Sequence, residues 1–148
     1  MVNSIQTNSK ICDMMIAIDE PLFWHYQGNT EKLVDMIKYH VEKLNEIYSS
    51  SMKKHEIGKI YFKIKKIRFL FKFCDGCNRD MNKTLEEFSK IPSSDFCLAH
   101  LFTYRDFVED VLGIAYRGNN LLGGGICAKT QNTGLTSLLS HGVNSIHI

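Results

Sequence analysis

The residues able to do chemistry are six histidines and five cysteines, and their spacing decides what chemistry is open to them. A zinc site needs three or four ligands converging on one ion, and two histidines four residues apart on a helix share a face and reach one metal. His55-Glu56-Ile57-Gly58 begins like an H-E-x-x-H run, in which the glutamate polarises the metal-bound water. The fifth position, however, is Lys59, an ammonium with no lone pair to donate while protonated. The run is read as a decoy at the start of a basic strand. His25, His40, His100, His141 and His147 show no ligand spacing; His100, inside an apolar run, is read as a core histidine and His40 as the flank of a helix. Cys74-Asp75-Gly76-Cys77 has the spacing of half a zinc ribbon or of a redox pair, yet no second pair completes four ligands. A surface turn, with or without a local disulfide, fits it better than a metal site. These residues supply no metal ligand set and no catalytic group.

The chain that must position such residues has 148 of them, enough for one domain, and a domain of this size buries about 68–70% of its unfolded surface. Hydrophobic residues make up 44% and charged residues 23%, with two prolines, a globular composition rather than a disordered one. Residues 1–10 are polar, with neither a basic start nor an apolar core, and are expected to be a disordered or linker-like start rather than a secretory signal. No stretch approaches the roughly 18 apolar residues that span a bilayer, so no membrane segment is expected in this chain.

Residues 11–19 form the first strand, apolar enough to lie inside a sheet. Leu33, Ile37, Val41, Leu44 and Tyr48 recur at helical spacing and predict a helix over 30–51, capped by Asn29 or Thr30 with Glu31 in its first turn. Over 59–73 the period becomes two, with Ile60, Phe62 and Ile64 alternating with lysines; the phase slips at Lys65-Lys66, which predicts a bulge, and resumes at Ile67, Phe69 and Phe71. The basic residues of this strand invite a nucleic-acid reading, but alternation places them on the wet face of a half-buried strand. With 18 basic residues against 16 acidic, the chain also lacks the excess of a phosphate binder. No nucleic-acid partner is expected. A second helix over 82–91 has Met81, Leu85, Phe88 and Ile91 on one face; Asn82-Lys83-Thr84 is a glycosylation sequon, usable at Asn82 only in a secreted chain, and reads better as a helix cap. Phe96-Cys97-Leu98-Ala99-His100-Leu101-Phe102 is almost continuously apolar and is placed at the centre of the sheet. Ile114-Ala115-Tyr116, between Gly113 and Gly118, is a short edge strand able to accept a peptide as an added strand. Strands and helices in alternation give an α/β fold, a mostly parallel twisted sheet closed by an antiparallel edge.

Cys97-Leu98-Ala99-His100-Leu101-Phe102-Thr103-Tyr104-Arg105-Asp106-Phe107, then Leu112-Gly113-Ile114-Ala115-Tyr116-Arg117-Gly118 and Gly124-Gly125-Ile126-Cys127, resembles the ADAM (adamalysin, reprolysin) zinc metalloproteinases. The subgroup of membrane-anchored sheddases around the tumour-necrosis-factor-converting enzyme is the most similar. The resemblance covers residues 12–148 and implies a metzincin-type amino-terminal subdomain, with residues 20–26 as an aromatic turn after the first strand. It further implies a disulfide between Cys12 and Cys97, a bridge worth roughly 4–5 kcal/mol in the chain-entropy account. Cys127 matches a family cysteine whose partner has no counterpart here and is expected to be unpaired. Residues 132–137 resemble the strand before the active-site helix, and residues 143–148 the lead-in to that helix. Residues 11–148 are therefore expected to be a partial metalloproteinase domain lacking the active-site helix, and the lower face of its sheet to expose apolar surface.

In the family the strand matching Val111-Leu112-Gly113-Ile114 pairs antiparallel with an extended peptide substrate, and Gly113 suits that job because no side chain projects from it. The resemblance thus implies a zinc-dependent endopeptidase of the ectodomain-shedding type, at the cell surface or extracellular. In this chain it implies the upper cleft wall and substrate-binding edge, with zinc held only by the complete domain and no activity alone. A non-enzymatic protein-binding decoy that retains the edge strand is the second reading. An intracellular basic binding module is the third.

Overall fold

The computed structural model describes residues 10–51, 60–118 and 124–139. The run at residues 55–58, the segment 143–148, His141, His147 and the expected linker-like start before Lys10 lie outside them. The elements are β1 (Lys10–Asp19), α1 (Glu20–His25), α2 (Thr30–Ser51), β2 (Ile60–Leu70), α3 (Met81–Ser89), β3 (Leu98–Thr103), β4 (Gly113–Ala115) and β5 (Thr133–Ser137). The five strands form one sheet in the order β2-β1-β3-β5-β4. Pairings of β1 with β2, β1 with β3 and β3 with β5 are parallel, and only β4 runs antiparallel, against β5. The apolar run of β3 occupies the centre, as its lack of alternation requires.

Side chains of β1 alternate between two cores. Cys12, Met14, Ile16 and Ile18 meet Leu33, Ile37 and Val41 of α2, while Met15 and Ala17 meet Met81, Leu85 and Phe88 of α3 on the opposite face. The sheet is thus sandwiched between one long helix and one short one. Asn29 caps α2, accepting from the Lys32 amide at 3.1 Å. The slip at Lys65-Lys66 is a bulge: Met14 pairs with Ile64 and Met15 with Lys66, leaving Lys65 over.

Two local expectations are corrected. Residues 20–26 hold a short helix rather than only a turn, begun at a position where Pro21 has no intrahelical donor to lose. The cap of α3 is Asp80, whose carboxylate accepts from the Lys83 amide at 3.0 Å, so Asn82 stands inside the first turn, exposed. The sequon therefore sits on a helix, with Thr84 fully buried and its hydroxyl donated to the Asp80 carbonyl at 2.7 Å.

Candidate functional site

The edge of interest is β4, three residues long and outermost in the sheet. Gly113 pairs with Thr136, Ile114 with Leu135 and Ala115 with Gly134. The Leu112 carbonyl accepts from the Ser137 amide at 2.7 Å, and the Tyr116 amide donates to the Thr133 carbonyl at 3.2 Å. Bonds at residues 112 and 116 turn the even-numbered backbone groups toward β5, so the amides and carbonyls of Gly113 and Ala115 point away from the sheet. That parity gives a three-residue strand one donor-and-acceptor pair at each of two outward positions. Of the four residues assigned to this edge from the sequence, Gly113 and Ile114 lie in β4, whereas Val111 and Leu112 lead into it, 42% and 38% exposed. A Cβ on Gly113 would stand 3.2 Å from the Leu135 carbonyl oxygen, so glycine also allows β4 to lie close on β5.

The segments flanking the edge are fixed by a buried polar lattice. Arg105, in the turn after β3, donates its Nε to Asp19 Oδ2 at 2.9 Å, its Nη1 to the Cys74 carbonyl at 3.2 Å and its Nη2 to the Phe73 carbonyl at 2.6 Å. Asp19, at the end of β1, also accepts from the Thr103 hydroxyl at 2.7 Å. Burial pushes the Asp19 carboxyl pKa up, against the lowering pull of Arg105 and Thr103. The Arg105 carbonyl in turn accepts from the Ser137 hydroxyl at 2.6 Å, tying this turn to the end of β5. At the other end of β5, Asn132 is fully buried and donates to the carbonyls of Ser93 at 3.1 Å and Phe96 at 2.9 Å. One step further along, at the exposed surface, Arg79 holds Asp106 by an ion pair of 3.4 Å and by a bond to its carbonyl at 3.2 Å. The edge strand thus rests on a β5 pinned at both ends.

The loop after β4 turns back through glycines. Gly125 has φ +83°, and a Cβ there would come within 2.6 Å of the Gly118 amide nitrogen, so only glycine lets the two passes of chain touch. Cys127 follows, exposed and outside any disulfide. Cys12 and Cys97 are bridged, with Cα atoms 5.2 Å apart and a sequence separation of 85. Cys74 and Cys77 form a local bridge on a single turn.

His100 lies on the α2 side of β3, at an apolar groove of about 200 Å³ that Tyr39, Leu44, Ile47, Phe62 and Phe102 also line. Its Nε2 is 2.9 Å from the Thr136 hydroxyl. Burial, with His40 nearby, lowers its pKa from the ordinary 6.5 to about 4. His25 stacks on Tyr104 at 3.7 Å, and His40 Nδ1 sits 2.8 Å from the Met36 carbonyl. No group of three or more histidine, cysteine, aspartate or glutamate side chains among the described residues is placed to hold a metal ion, so these residues do not fit a zinc site.

Sequence reasoning did not find Asp19, Arg105, Asn132 or Ser137. The partners that tie them across the fold lie between 31 and 86 residues away, and no local period marks them. Thr103-Tyr104-Arg105-Asp106-Phe107 drew notice only as part of a resemblance.

A mostly parallel five-stranded sheet with an antiparallel outer strand, a long helix on one face and a short one on the other defines an α/β subdomain of the metzincin type. The chain is similar over residues 8–147 to the family model Reprolysin_5, metallo-peptidase family M12. It is 32% identical over 153 aligned residues to human "Disintegrin and metalloproteinase domain-containing protein 10", covering 88% of this chain and 20% of that protein. The Xenopus laevis protein of that name is 30% identical, with 93% and 21% covered; the Caenorhabditis elegans homolog is 26% identical, with 90% and 18% covered. Among solved structures, "Structure of a chaperone-substrate complex" shares the fold at a TM-score of 0.51 and 12% identity, over 88% of this chain and 23% of that one. The chain belongs to metallo-peptidase family M12, the ADAM or reprolysin proteases. It spans about a fifth of the length of the curated relatives it matches.

Proposed function

We propose that residues 11–148 are the amino-terminal subdomain of a zinc metalloendopeptidase of the ectodomain-shedding type. The subdomain supplies the upper wall of the cleft and, at Val111, Leu112, Gly113 and Ile114, the edge that holds a protein substrate in extended conformation. The outward backbone groups of Gly113 and Ala115 carry this reading, because an antiparallel peptide would pair with those groups and with no others on the strand. In the complete family domain, zinc would polarise the scissile carbonyl and activate water. This sequence contains no H-E-x-x-H run, and the chain alone positions a peptide without cleaving it. The work of the complete protein lies at the cell surface or outside the cell. The same edge without the metal motif also suits a non-enzymatic protein-binding domain; the two readings differ in whether the gene product elsewhere carries zinc ligands.

An extended fluorogenic peptide tests both halves of the proposal on the purified chain. Saturable binding with no hydrolysis, with or without added zinc, is expected. Ala115→Pro removes one outward donor and no ladder bond, so affinity falls about two- to tenfold, one hydrogen bond's worth, while the far-ultraviolet spectrum stays unchanged. Zinc-dependent turnover by the purified chain would overturn the inactivity, and unaltered binding by the proline variant would overturn the edge assignment.

A further inference from the structure

Beside β4, on the α3 side of the sheet, lies a cavity of about 440 Å³ that backbone pairing along the edge does not use. Met81 at the start of α3, Val108 and Val111 of the turn before the edge, and Ile114 of β4 give it apolar walls. Val108 and Val111 are 54% and 42% exposed, apolar surface that neither core covers. The rim is charged. Arg79 stands there, with its charge met by Asp106 at 3.4 Å, and the carboxylates of Asp80 and Glu109, both exposed residues, complete it. Lys83, the next cation along α3, is turned to the Gly76 carbonyl at 3.2 Å. The rim is therefore acidic on balance.

Register decides which side chain of a bound peptide meets this cavity. Ile114 pairs with Leu135, and both side chains join the core beneath α3. Residues directly opposite in an antiparallel pair carry their side chains on the same face. A peptide bonded to the outward groups of Gly113 and Ala115 thus has one residue between those two contacts, opposite Ile114, with its side chain on the cavity side. We propose that the cavity selects the peptide by taking a long basic side chain, lysine or arginine, at that residue. The methylene stem lies along the apolar walls and the cationic head reaches Asp80 and Glu109. An aliphatic side chain covers the same walls without meeting the carboxylates, and an acidic one is repelled by them. This inference rests on the pairing of a peptide with β4 and names what that peptide carries.

Three fluorescent extended peptides, alike except for a central lysine, leucine or glutamate, test it by anisotropy titration of the purified chain. The lysine peptide is expected to bind about three- to tenfold more tightly than the leucine peptide, and the glutamate peptide most weakly. Raised salt shrinks the difference. Glu109→Gln lowers affinity for the lysine peptide about two- to fivefold, the worth of one exposed ion pair, and leaves the leucine peptide unchanged. Asp80→Asn, which keeps a capping oxygen on α3, acts in the same way. Ala115→Pro weakens all three peptides alike, because it reads the edge and not the cavity. If the proline variant weakens every peptide but leucine binds as tightly as lysine, or more tightly, the basic preference is overturned while the edge stands. A lysine preference that survives both Glu109→Gln and Asp80→Asn overturns the placement in this cavity. Binding that the proline variant leaves unaltered overturns the edge pairing, and the cavity assignment with it.

Discussion

At the scale of single residues, Arg105 does most to shape the candidate site. It is 13% exposed, its partner Asp19 not at all, and one guanidinium joins the end of β1, the turn after β2 and the turn after β3. Breaking a buried pair by removing one member leaves an uncompensated charge, which costs far more than the intact pair contributes. Arg105→Met is therefore expected to lower stability by about 3–5 kcal/mol in urea unfolding, and adding Asp19→Asn should restore part of that loss. An Arg105→Met midpoint equal to wild type would remove Arg105 from the framework. His100 sets a pH dependence. Its pKa in the folded chain, about 4, lies below the ordinary 6.5 of an unfolded histidine, so below 6.5 the unfolded state takes up a proton that the folded state refuses. Stability is thus complete above pH 6.5 and lost as pH falls toward 4, by at most about 3 kcal/mol at 1.36 kcal/mol per unit. Unfolding curves from pH 4 to 7 should show this slope, and His100→Gln should flatten it.

At the scale of elements, β2 shows how an edge is kept from pairing. Asn45 of α2 donates its side-chain amide to the Phe62 carbonyl at 2.9 Å and accepts from the Phe62 amide at 2.7 Å. One side chain satisfies both outward backbone groups of Phe62, where a further strand would have paired, and the Lys65 bulge twists the strand beyond. Asn45→Ala leaves both groups without a protein partner and should cost about 1–3 kcal/mol in chemical denaturation. No loss would mean that water replaces the amide. The lysines of β2 are explained by the same logic as the wet face of a guarded edge. At the opposite edge, no side chain among the described residues bonds the outward backbone groups of Gly113 and Ala115, which is why the peptide-binding reading is attached there.

The helices and strands with a clear period were legible in the sequence: the α2 stripe, the β2 alternation with its slip, and the continuous apolar run of β3. Each reports on neighbours one turn or one residue pair away, and burial acts on that pattern directly. The α1 helix was missed because six residues carry no full period, and the Asp80 cap because Asn82 offered a competing capping residue nearby. The edge strand was legible from the glycines at 113 and 118, read as Ile114–Tyr116 where the structure has Gly113–Ala115, and its assignment to Val111–Ile114 came through a resemblance; which of its backbone groups face outward was not legible. That depends on register with β5, set by Asn132 and Ser137 through partners 32 to 39 residues away.

At the scale of the whole molecule, two faces of the sheet are treated differently. The α3 face is packed by Met81, Leu85 and Phe88 and opens at its rim into a cavity of about 440 Å³ beside Met81, Val108 and Ile114, and the α2 face has an apolar groove beside His100. No helix of the described residues is long and apolar enough to cross a membrane. The β4 edge and the groove share β5 through Thr136, which pairs with Gly113 and meets His100. Backbone amide spectra of the isotope-labelled chain, titrated with an extended peptide, test the central claim most directly. The account predicts saturable shifts and slowed hydrogen exchange at the Gly113 and Ala115 amides, with Ile114 exchange unchanged because its amide already faces β5. Shifts confined to β2 or to the groove, or none at saturating peptide, would contradict it.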